Sequence, residues 1–174
     1  EAALRCFYQR LAADYYNETS TSKKVAELFS LPPELIQEKV KEAVLVRLAE
    51  GAVNKVESIT NAFPLENEVM KSEEMQEAAL RCFYQRLTSP YPQDAKKVAQ
   101  IFSLPPEFVQ EKIKEVILAH LAQGAVDKVE SIIKDFPLDG DVLGSGEIRE
   151  AASMCFYGKL VTFGRNYQDI AKKV

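Results

Sequence analysis

The chain holds one histidine, His120, and three cysteines, Cys6, Cys82 and Cys155. A Ser-His or Cys-His nucleophile needs a base held beside it, and an ordinary zinc site needs several His or Cys ligands, so one histidine supplies neither. His120 stands where an earlier copy of its segment has Arg47, which predicts a solvated or rim position. Neither Gly-x-Gly-x-x-Gly nor Gly-Lys-Ser/Thr occurs to cradle a phosphate. The one Gly-rich stretch, 138–147, carries Asp139, Asp141 and Glu147 but lacks the alternating ligands of a calcium loop, so it reads as a flexible link and a hinge. No catalytic residue, metal or cofactor is expected. The residues that do recur at regular spacing are of the binding kind. Arg5, Gln9 and Arg10 return as Arg81, Gln85 and Arg86, and in part as Lys159. A ladder of cations suits an acidic peptide and, more weakly, phosphates. Tyr8, Tyr84 and Tyr157 form a second ladder, read as core packing with the hydroxyl at the edge, or else as a stacking platform for bases.

These ladders ride on a tandem repeat. Glu-Ala-Ala-Leu-Arg-Cys-Phe-Tyr-Gln-Arg-Leu runs from Glu1 to Leu11, recurs unchanged from Glu77 to Leu87, and returns with substitutions from Glu150 to Leu160. Its apolar residues fall at helical spacing and predict a first helix, A, from Glu1 to about Tyr15 and again from Glu77 and Glu150. Ala151, Ala152, Cys155, Phe156 and Leu160 persist in the divergent third copy and form the predicted core, with the cysteines as small buried side chains. A polar turn from Asn17 to Ser22 leads to helix B, Lys23 to Phe29, with Val25, Leu28 and Phe29 inward. Leu31-Pro32-Pro33 breaks it, and Pro33 suits the first turn of helix C, Glu34 to Glu50. Gly51 ends C, and helix D follows from Val53 to Ala62, burying Val56, Ile59 and Phe63 before Pro64. The second copy repeats this order with B at Gln93–Ser103, C at Glu107–Gln123, Gly124, and D at Val126–Phe136.

Helices B and D share a Lys-Val signature at Lys24-Val25, Lys55-Val56, Lys97-Val98 and Lys128-Val129, with Lys173-Val174 last. Each long unit is therefore two helical hairpins. A hairpin of this size buries one face and needs neighbours, which is the logic of a solenoid. The expected fold is all-α, a right-handed α-α superhelix of stacked hairpins spanning residues 1–174 as one domain, in units 1–76, 77–149 and a partial 150–174. Both ends lack polar capping repeats, so a segment of a longer array or end-to-end self-association is expected.

Composition bounds the partners. With 47% apolar residues the chain can bury a core, and no run is long enough to span a membrane. A net charge of −4 and a pI near 5.2 oppose a nonspecific grip on nucleic acid. Unpaired cysteines, together with the absence of an export leader, point to a reducing, intracellular, cytoplasmic setting, and Asn17-Glu18-Thr19 reads as a chance sequon.

The paired-helix layout, with Gly51 and Gly124 between helices C and D, resembles the alpha-solenoid superfamily that includes tetratricopeptide, pentatricopeptide and HEAT repeats. The Trp and fixed period of tetratricopeptide repeats are missing; Leu48 to Val56 is similar to the middle of an ankyrin repeat without its Thr-Pro-Leu-His opening. The resemblance implies a noncatalytic scaffold that binds a protein or peptide. It also implies the alternative of single-stranded RNA binding, as in pentatricopeptide members. A self-assembling structural repeat is the third reading.

Overall fold

The computed structural model describes residues 1–13, 18–89 and 91–171, and among them there are helices and no strands. They divide into two compact units that meet at the Leu104-Pro105-Pro106 break. The first, Glu1–Leu104, holds α1 (Ala2–Leu11), α2 (Glu18–Leu28), α3 (Pro33–Ala49), α4 (Val53–Ala62), α5 (Asn67–Met70), α6 (Glu73–Leu87) and α7 (Gln93–Ile101). The second, Pro105–Val174, holds α8 (Pro106–Ala122), α9 (Val126–Asp135), α10 (Gly140–Leu143) and α11 (Gly146–Ala171).

Local chemistry sets most of these bounds. Pro33 and Pro106 occupy the first helical position of α3 and α8, where no backbone donor is needed. Gly51 and Gly124 end the same two helices at φ +68° and +70°. The Ala52 and Ala125 amides then reach back to the Arg47 and His120 carbonyls, each at 2.9 Å, closing a Schellman turn. Ser30 and Ser103 do the same work after α2 and α7 at φ +46° and +48°, with Leu31 and Leu104 donating to Ala26 and Ala99 at 3.0 Å. Serine in that left-handed region is strained, and Pro32 and Pro105 leave the chain no helical alternative.

The polar stretch before helix B is not a turn throughout, because α2 already begins at Glu18. Ser22 is fully buried and its hydroxyl donates to the Phe7 carbonyl at 3.5 Å, so packing on α1 overrides weak helix propensity. The far end of predicted helix A, including Tyr15, lies outside the described residues, as do Asn17 of the sequon and Lys173-Val174. The two inter-repeat links share one conformation. Asn67–Met70 and Gly140–Leu143 each make a single helical turn, capped alike by Lys71 on Asn67 and Gly144 on Gly140. The Gly-rich link thus takes the same helical turn as its counterpart.

In the first unit, hairpins α1/α2, α3/α4 and α6/α7 pack in series: α1 on α3 and α3 on α6, with α2 on α4 and α4 on α7. Phe7, Leu11, Val44, Val56, Ile59, Phe83 and Leu87 are buried between these two layers, and Phe7 meets Phe63 edge-on at 5.4 Å. In the second unit α8 packs on α9 and on α11, and α10 on α11.

Burial departs from the repeat in three places. Phe156 and Leu160 are 61% and 52% exposed, where Phe83 and Leu87 are buried. The cause is that α11 continues unbroken to Ala171 where α6 stops at Leu87 and α7 folds back over it. Leu28 and Phe29 are exposed although expected inward, while Phe102 is 2% exposed. Phe102 lies at the C-cap of α7, and Gln76 Nε2 in the first turn of α6 donates to its carbonyl at 3.1 Å. Finally, of the three cysteines Cys82 is buried, Cys155 is half-buried and Cys6 is exposed.

Candidate partner-binding face

The predicted ladder residues fall into three groups. Arg5, Gln9 and Arg10 on α1, Arg81, Tyr84 and Gln85 on α6, and Tyr157 and Lys159 on α11 are exposed. Their spacing follows from helical periodicity, since residues four apart share one face. Tyr8 is half-buried at the α1–α3 contact. Arg86 is half-buried and committed elsewhere.

Arg86 is the clearest correction. Its Nη2 donates to the Gly51 carbonyl at the C-terminus of α3, where the helix leaves carbonyls unpaired and its dipole favours a cation. A Cβ on Gly51 would stand 2.5 Å from that Nη2, so a side chain there would push the guanidinium aside, in addition to the strain of its φ. The second unit repeats the theme in weaker form. Lys159 Cε lies 3.7 Å from where a Gly124 Cβ would be, at the end of α8. Arg86 therefore joins the α6/α7 hairpin to the end of α3.

His120 is corrected too. It is 8% exposed, and its equivalent Arg47 is 7% exposed, so this position is an interior one. Arg47 fills it by donating to the Ala12 carbonyl at the end of α1 and to Glu50 at 2.6 Å. His120 has a buried Nδ1 without a hydrogen-bond partner, and desolvation, reinforced by the Lys128 charge, holds its pKa below the ordinary value.

Several cations of the first unit are paired with nearby carboxylates. Arg81 pairs with Glu77 one turn back at 2.9 Å, Lys41 with Glu74 at 2.6 Å, and Lys97 with Glu57 at 3.0 Å. Tyr8 faces Lys39, whose Nζ is 5.5 Å from the ring centre and donates to Glu42 at 2.8 Å. Burial first, and then the Glu42 carboxylate, push the Tyr8 hydroxyl pKa up. In the second unit the carboxylates of the Gly-rich link are also engaged: Gln110 donates to Asp139 at 2.9 Å, and Lys114 pairs with Glu147. Gln37, the counterpart of Gln110, clamps the first link through the Pro64 carbonyl and the Glu66 amide.

No protein-family model matches the chain, and no curated protein or solved structure matches it. What the face can do is therefore read from its own chemistry. In the first unit, α1 and α6, the first helices of its first and third hairpins, carry exposed guanidinium and amide groups, with the Tyr84 phenol on α6 and Glu77 paired to Arg81. Guanidinium and amide donors are groups that make directional hydrogen bonds, stronger where a charge takes part. Sequence reasoning missed the bridging role of Arg86, although the signal was present, since Arg86 lies 35 residues after Gly51 and Lys159 follows Gly124 at the same interval.

Proposed function

We propose that this chain is a noncatalytic scaffold that binds a protein or peptide along the first helices of tandem hairpins, arranged as a right-handed solenoid and acting inside the cell. The observation that supports this reading most is the packing within Glu1–Leu104, where first helices meet first helices and second helices meet second helices. That arrangement buries one side of each layer and leaves the outer side of α1 and α6, with Arg5, Gln9, Arg81, Tyr84 and Gln85, free of core duty. Among the described residues no helix is long and apolar enough to cross a membrane. RNA binding is the weaker alternative, because Arg81 is paired with Glu77 and Arg86 is spent on Gly51. Capture from native lysate by the full chain tests the proposal, with Arg5→Glu/Gln85→Glu as the comparison. A defined protein partner lost on charge reversal supports it. Capture that charge reversal leaves unaltered, or salt-sensitive recovery of RNA alone, would overturn it.

A further inference from the structure

We draw no further inference here: the strongest candidate, the cavity of about 420 Å³ between the first turns of α8 and α10 that gathers Glu107, Glu111 and Asp139 with Lys114, is an acidic cluster at a helix N-terminus that no second observation in the structure ties to a ligand.

Discussion

Phe83 and Phe156 are the same letter of the same motif in two different environments, and replacing each with alanine separates environment from sequence. Phe83 has no exposed surface. Returning a fully buried aromatic to water costs about 1.5–3 kcal/mol, and the unfilled space raises the total for Phe→Ala to about 3–5 kcal/mol. Phe156 is 61% exposed, so roughly two-fifths of the transfer term applies and no closed cavity forms, giving about 1 kcal/mol or less. Urea unfolding followed by circular dichroism reads both, with an unchanged m-value as the check that the loss lies in the native state. Equal losses from Phe83→Ala and Phe156→Ala would refute the reading that Phe156 lies exposed where Phe83 is buried.

Gly51→Ala is expected to destabilise more than Gly124→Ala. Both pay about 1–2 kcal/mol for a left-handed alanine, and only Gly51 also displaces Arg86. Equal midpoint shifts in thermal unfolding, or loss of the difference failing to follow Arg86→Ala, would remove the Arg86 bridge. Burial pushes the Cys82 thiol from 9.0 to about 11. Its contribution to stability is therefore complete below pH 9, declines as the unfolded thiol ionises first, and is gone near pH 11. Cys82→Ala should flatten that alkaline decline, and an unchanged slope would contradict it. His120 has a depressed pKa in the fold, so its contribution is complete above its ordinary 6.5 and falls as pH drops below it. The urea midpoint of His120→Gln should depend less on pH between 7.5 and 5.5, and parallel profiles would place His120 in solvent.

The helices were legible in the sequence because their signals are local. Pro33 and Pro106 open α3 and α8, Gly51 and Gly124 close them, and 3.6-residue spacing marks the faces. Burial was legible only where the neighbouring helix repeats along with the motif. Phe7 and Phe83 have their second helix and are interior; Phe156 keeps its letter but lies on a helix that runs on, so the motif alone misassigned it. Phe29 and Cys6 likewise keep their letters yet are exposed where Phe102 and Cys82 are buried. Substitution within a column misled at His120: an arginine in its place suggested solvent, yet Arg47 is buried because a carbonyl and a carboxylate satisfy its guanidinium. The cation ladder was legible as a pattern, but its division of labour was not. Whether a guanidinium faces a helix C-terminus, as Arg86 does, or its own helix's carboxylate, as Arg81 does, depends on which element lies alongside.

The two-layer order of hairpins in Glu1–Leu104 is tested most directly by zero-length carbodiimide crosslinking with peptide mass spectrometry. Lys41 Nζ is 2.6 Å from Glu74 across α3 and α6, and Lys97 Nζ is 3.0 Å from Glu57 across α4 and α7. Isopeptides Lys41–Glu74 and Lys97–Glu57 should both form, one within each layer. Their absence, or crosslinks that join Lys41 to Glu57 and Lys97 to Glu74 instead, would contradict the stacking of first helices on first and second on second.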